Sequence, residues 1–193
     1  IAIAILDDGI QTVTPTVGAA PVPSHPSFIG NIFNGAPKIN AFYDFIANAA
    51  NNDNPTGNHG MLCASVSGAL AENPPNEAGI TEGLSGVAPN CSMIGITISG
   101  GAVPLIRTFL WAAGLNTNIT FLNGGAAIPI PALPAVPASI ISCSWSLSGA
   151  TAAARYAAVL PTLRFLTFYG RNGRGVMTFF SSGNAPAQPP LSP

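Results

Sequence analysis

His59 is one of only two histidines in a chain of 193 residues. It lies in Asn54-Pro55-Thr56-Gly57-Asn58-His59-Gly60-Met61-Leu62-Cys63-Ala64-Ser65, where a Gly/Asn/Pro-rich loop gives way to an apolar run, Cys63 to Leu70, that can start a helix. A side chain at such a junction is held rigidly while its ring stays open to a cleft. With an ordinary pKa near ~6.5 it can exchange protons at neutral pH. Taken alone, a histidine of this kind is more often an inert loop residue.

Its candidate partners lie at the ends of strand-like runs. Ile1 to Leu6 is continuously apolar and rich in β-branched residues, and it ends in Asp7-Asp8-Gly9. That pattern predicts a buried parallel strand delivering two carboxylates at its C-terminal end. Ser139 to Ser146 and Gly175 to Phe180 predict two further strands, the second running into Ser181-Ser182-Gly183-Asn184. In open α/β sheets, sites are built beyond the carboxyl ends of the strands, so Asp7, the Ser144 region and Asn184 could converge there with His59. The plainer alternatives are a strand-end turn for Asp7-Asp8-Gly9 and a left-handed turn residue for Asn184.

The elements that must position these residues follow from the remaining pattern. Ser92 to Ser99 predicts a strand, Phe42 to Ile46 a short strand holding Asp44, and Pro104 to about Leu115 a helix with Leu105, Ile106, Phe109, Leu110 and Ala113 on one face. Thr151 to about Tyr169 predicts a second amphipathic helix, with Gly170 near its end. Gln11 to Gly57 reads as mostly loops, and the Pro/Gly-studded stretch 116–138 as an insertion without regular structure. Strands alternating with helices in this order predict an α/β domain with a mainly parallel sheet.

Composition narrows the function classes. A 48% hydrophobic share supports one globular domain, whereas only 7% of residues are charged, against roughly 25% in ordinary soluble domains. So little charge leaves solubility to Asn, Ser, Thr and exposed backbone, or implies a surface covered by a partner or by further chain. A net charge of −1 and six scattered Lys and Arg offer no basic patch for nucleic acid. No run of about 18 uninterrupted apolar residues exists, so no membrane span is expected. Ile1 opens directly into strand-like sequence, as expected of a mature or trimmed product rather than one carrying a signal peptide. The three cysteines, Cys63, Cys91 and Cys143, are expected to form no ligand cluster with the histidines, and they leave the disulfide state undecided.

Several stretches, in order, resemble the subtilisin-like serine proteases. Ile3-Ala4-Ile5-Leu6-Asp7-Asp8-Gly9-Ile10 resembles the family's aspartate signature, with the doubled Asp nearest its kexin and furin branch. Asn58-His59-Gly60-Met61-Leu62-Cys63-Ala64 resembles the histidine signature, and Ser142-Cys143-Ser144-Trp145-Ser146 the strand that pairs with substrate. Ser182-Gly183-Asn184 is similar to the oxyanion-hole turn, and Ser85-Gly86-Val87-Ala88-Pro89 to the turn before the third strand.

The resemblance implies a three-layer subtilisin-like domain, incomplete at its C-terminus, that hydrolyses peptide bonds. It implies Asp7 as the catalytic aspartate, His59 as general base and Asn184 as oxyanion donor. Asp8 would line the pocket beside the scissile bond, and Ser144, Trp145 and Ser146 would pair with an extended peptide. The family's Gly-Thr-Ser nucleophile motif does not occur in the 193 residues, so the serine is expected outside this chain, in a C-terminal part of the domain that would act as a partner. Met61, Leu62 and Ser65 depart from the usual histidine signature. No cofactor is needed for this chemistry. Structural calcium is possible through Asp44, Asp53, Glu72, Asn73, Asn76 and Glu77, while Ser27 in His25-Pro26-Ser27 removes a carboxylate that binds calcium in many members. A secreted or extracellular location is favoured. Two rival functions remain: a pseudoprotease serving as a peptide-binding or structural module, and a thiol hydrolase using Cys63.

Overall fold

The computed structural model describes residues 1–10, 12–13, 22–23, 26–29, 32, 35–45, 57–70, 85–98, 102–115, 122–123, 126–127, 132–146 and 152–184. Its centre is β1, Ala2–Asp7, in which all six residues are buried. Such a strand has no solvent face, which is why its sequence runs Ala-Ile-Ala-Ile-Leu without polar alternation. β1 pairs in parallel with β5, Ser92–Thr97, on one side and β8, Ile140–Cys143, on the other. β4, Ile39–Asp44, extends the sheet beyond β5, and β9, Met177–Phe180, extends it beyond β8. The order of this five-stranded sheet is β4-β5-β1-β8-β9, with every neighbouring pair parallel.

Three helices connect and cover these strands: α1, His59–Gly68, α2, Ala102–Ala112, and α3, Ala152–Gly173. Alternate residues of β1 point into two separate cores. Ala2, Ala4 and Leu6 pack with Leu105, Phe109 and Leu110 of α2 and Val159 and Leu166 of α3. Ile3 and Ile5 pack on the opposite face with Met61 and Ala64 of α1 and Met93 of β5. Helices on both faces of a parallel sheet make a three-layer α/β architecture, with the parallel sheet that the sequence pattern predicts and the layers that the family resemblance implies.

Two small antiparallel ribbons lie outside the main sheet: β2, Thr12–Val13, with β3, Val22–Pro23, and β6, Leu122–Asn123, with β7, Ala126–Ala127. The second ribbon is regular structure inside 116–138, where the Pro and Gly content predicts none. The pairing β4 makes with β5 begins at Ile39, earlier than Phe42, because ladder hydrogen bonds rather than aromatic content set its start.

The helices also differ in detail from the sequence pattern. α1 begins at His59, not Cys63, because its first N–H groups are satisfied by the side chain of Asp8, just past the end of β1. α3 contains Pro161 and breaks at Gly170–Asn172, where Arg171 and Asn172 adopt left-handed φ of 53° and 57°. Its amphipathic character is weak: it buries Val159, Leu166 and Gly170 while Phe165, Phe168 and Tyr169 are exposed. Among the described residues no helix is long and apolar enough to cross a membrane.

Candidate active site

Two turns of chain meet at the C-terminal end of β1. Asp7 is its last residue, and its carbonyl accepts the N–H of Ile98 at 3.0 Å, which ties the strand end to the exit of β5. Asp8 bridges to Thr97 on the same side. Gly9 then turns away with φ 99°, a conformation that suits glycine.

The Asp8 carboxylate reaches the start of α1, accepting the N–H of His59 at 3.2 Å and of Gly60 at 2.5 Å. The residue in the N-cap position, Asn58, makes no side-chain cap bond, so Asp8, just past β1, supplies what a local cap would supply. A carboxylate there also suits the positive end of the helix dipole. The packing leaves no room for larger residues. A Cβ on Gly60 would lie 2.8 Å from Asp8 Oδ1 and 3.0 Å from Asp7 Cβ, and one on Gly57 would overlap the Asp8 carboxylate.

This docking brings His59 onto Asp7. His59 Nδ1 lies 2.8 Å from Asp7 Oδ1, although the two residues are 52 positions apart in the chain. The Asp7 side chain is 7% exposed and that of His59 58% exposed. The pair is thus anchored at the acid and open at the base. The hydrogen bond to Asp7, and next the charge of the Asp7 carboxylate, raise the His59 pKa above its ordinary value, with a smaller push from Asp8. With Nδ1 held by a carboxylate, Nε2 is the ring nitrogen left to take a proton from an incoming hydroxyl.

The Trp145 side chain makes a structural contact beside the strand exits. Its indole Nε1 donates to the carbonyl of Leu6 at 2.6 Å, one residue before Asp7, and its ring meets Phe180 edge-on with centroids 5.5 Å apart. The side chain therefore braces the exits of β1, β8 and β9 together. Ser144 lies within hydrogen-bonding reach of the Cys63 thiol, and Ser146 is exposed. Asn184 lies at an exposed bend after β9, following Gly183 at φ 89°. Among the described residues it makes no bond to the Asp7–His59 pair. Asp8, expected as a pocket wall, spends both carboxylate oxygens on α1.

One grouping was missed from sequence. Cys63 stands one helical turn after His59, on the same face, and its Sγ lies 3.8 Å from His59 Nδ1. Asp7, His59 and Cys63 each offer a donor atom within 4.8 Å of the others, which corrects the expectation that no cysteine joins a histidine. The i, i+4 spacing on a predicted helix was the available signal. Burial, and then the Asp7 and Asp8 carboxylates, keep this thiol protonated, opposed by the Ser144 hydroxyl. The ring nitrogen nearest to it is the one already bonded to Asp7. Both facts disfavour Cys63 as a nucleophile activated by His59. All three cysteines are free, and Cys91 and Cys143 are buried.

Of the residues considered for calcium, Asp44 closes β4, while Asp53, Glu72, Asn73, Asn76 and Glu77 lie outside the described residues, as does His25.

The family model of the subtilase family matches residues 1–193. The chain belongs to the subtilase family. Among solved structures, the crystal structure of MycP1 with the N-terminal propeptide removed is similar to it at 18% identity and a TM-score of 0.49, covering all of this chain and 44% of that one. This subtilase chain therefore spans less than half the length of that matched chain. No curated protein matches it.

Proposed function

We propose that this chain is the N-terminal portion of a serine endopeptidase in which Asp7 and His59 are two members of an Asp-His-Ser triad. The observation that carries the reading is the bond of 2.8 Å between a buried carboxylate and the Nδ1 of an exposed imidazole. That arrangement fixes the tautomer with Nε2 unprotonated and stabilises the imidazolium formed when a serine gives up its proton. The serine attacks the scissile carbonyl to form an acyl-enzyme, and water then releases the acyl group. The nucleophile is supplied by residues outside these 193.

Asn184 is the side-chain donor to the developing oxyanion, a role in which loss of one donor costs about 2.7–4 kcal/mol in transition-state stabilisation. The stretch Ser144 to Ser146 pairs with the substrate backbone as an added strand. The doubled Asp7-Asp8 supports a reading nearest the kexin and furin branch. Structural calcium and a secreted location are part of the same proposal. The remaining partner is the rest of the peptidase domain, and support comes from the open side of β9, where Met177 and Phe179 are exposed.

Fluorophosphonate labelling of the full-length protein tests the reading. Labelling that is lost in His59→Ala, with folding intact, supports it. A folded full-length protein that never labels overturns it in favour of a pseudoprotease.

A further inference from the structure

Asp7 carries an unused donor. Its Oδ1 bonds His59, whereas Oδ2 is buried with no hydrogen-bond partner among the described residues, on a side chain only 7% exposed. A buried carboxylate oxygen left unsatisfied is costly. The same carboxylate stands beside a thiol and an imidazole, with donor atoms of all three residues mutually within 4.8 Å. We propose that Asp7, His59 and Cys63 bind a single Zn2+ ion, and that this ion switches off His59 as a base.

The donor set and its geometry select the metal. One imidazole nitrogen, one thiolate and one carboxylate, with a water in the fourth position, is a familiar three-ligand zinc arrangement. Calcium and magnesium prefer oxygen alone, so the thiolate argues against them. Bond lengths of about 2.0–2.3 Å at tetrahedral angles place ligand atoms roughly 3.3–3.6 Å apart. The observed separations of 2.8 Å between His59 Nδ1 and Asp7 Oδ1, and 3.8 Å between Cys63 Sγ and His59 Nδ1, lie on either side of that range. Side-chain adjustments of less than an ångström would bring them onto it. Cys63 is only partly buried, which leaves an approach for the ion, and the Ser144 hydroxyl beside it can donate to the thiolate as an outer partner.

The protons balance simply. Zn2+ takes the Nδ1 lone pair, so the proton that Nδ1 donates to Asp7 must leave that nitrogen, and Nε2 becomes the protonated one. The Cys63 thiol loses its proton to solvent as the Zn–S bond forms. One proton is released per ion bound to the neutral imidazole, and no oxidant or reductant is involved. In the zinc form Nε2 is an N–H donor and cannot accept a proton from a serine. Binding depends only on the three ligands, while inhibition rests on the peptidase reading given above.

The test is a titration of the full-length protein with Co2+ as a spectroscopic substitute, followed by Zn2+ in a calorimeter. The expected result is one equivalent of Co2+ giving a thiolate-to-cobalt charge-transfer band, displaced by one equivalent of Zn2+. Nitrogen NMR should show the His59 proton moving from Nδ1 to Nε2. Cys63→Ala and Cys63→Ser should each remove the band and weaken Zn2+ binding by about 100-fold or more, whereas Cys91→Ala should leave both unchanged. Thermal melts of the metal-free variants confirm that they fold. Absence of stoichiometric binding at micromolar Zn2+, or a band that survives in Cys63→Ala, overturns the proposal. The spectra are read whether or not the protein cleaves peptides, so a failed fluorophosphonate labelling would not be confused with a failed zinc site.

Discussion

The exits of β1 and β9 sit in one sheet, separated only by β8, yet they are finished differently. At β1 the emerging groups are tied down, all but one oxygen: Asp7 Oδ1 to His59, Asp8 to the N–H groups of His59 and Gly60, and the Leu6 carbonyl to Trp145, with Asp7 Oδ2 left over. At β9 the chain emerges into Ser181 to Asn184, all exposed, with Met177 and Phe179 open to solvent and Phe165, Phe168 and Tyr169 exposed on the adjacent α3. The Asp7–His59 pair is preorganised within the chain. The Asn184 turn rests on an edge whose apolar surface calls for a cover. The contrast teaches that the Asp7–His59 pair can be held rigidly within this chain, because a hydrogen-bonded strand end and helix start need no third element.

The largest effect should come from the rigid side. His59→Ala is expected to lower kcat of the full-length protein by about 10⁵–10⁶-fold, read by peptide hydrolysis, while the thermal midpoint moves little because the ring is mostly exposed. Asp7→Asn should cost about 10⁴-fold in kcat by releasing the tautomer. It should also lower the His59 pKa, because its chief upward cause is the bond to Asp7. Proton NMR of the His59 ring checks this: a titration midpoint above ~6.5 in the parent and a lower one in the variant. A His pKa raised in the fold stabilises the fold fully below ~6.5, and that contribution is lost as pH rises through the folded-state value. The parent's stability advantage over Asp7→Asn should accordingly shrink with rising pH across that window.

Smaller effects probe the docking itself. Gly60→Ala places a methyl group against the Gly9 carbonyl, the Asp8 carboxylate and Asp7, and should cost about 1–3 kcal/mol in denaturant unfolding. Asp8→Ala removes the acceptor for the first α1 N–H groups and should cost about 0.5–2 kcal/mol. An Asp8→Ala variant of unchanged stability would show that α1 docks without its borrowed cap. On the open side, Phe168→Ser should change stability by under about 0.5 kcal/mol. A larger loss would mean that the α3 surface is already covered, and the contrast between the two exits would fail.

The legibility of the molecule follows the same division. β1 and β5 were readable because strands buried on both faces have continuous apolar sequence, and α2 because its apolar residues repeat with helical spacing. Asp7 was readable as a strand-end carboxylate. The start of α1 is not legible locally because its cap is the Asp8 side chain, just past β1 and far away in sequence. β6 and β7 were missed because two-residue strands carry no periodicity.

Sequence by itself determined the order of strands and helices, the placement of Asp7 and Asn184 at strand ends and of His59 at a loop–helix junction, and the absence of the family's serine motif from these residues. Those properties are carried by local composition and period. Tertiary structure alone decided that His59 presents Nδ1 to Asp7, that Asp8 caps a helix, that Trp145 braces β1, and that Cys63 completes a three-donor cluster. Each of these contacts except the Cys63–His59 turn joins residues far apart in sequence. Their distances are set by how α1 packs on the sheet, a property of the whole core rather than of any one stretch.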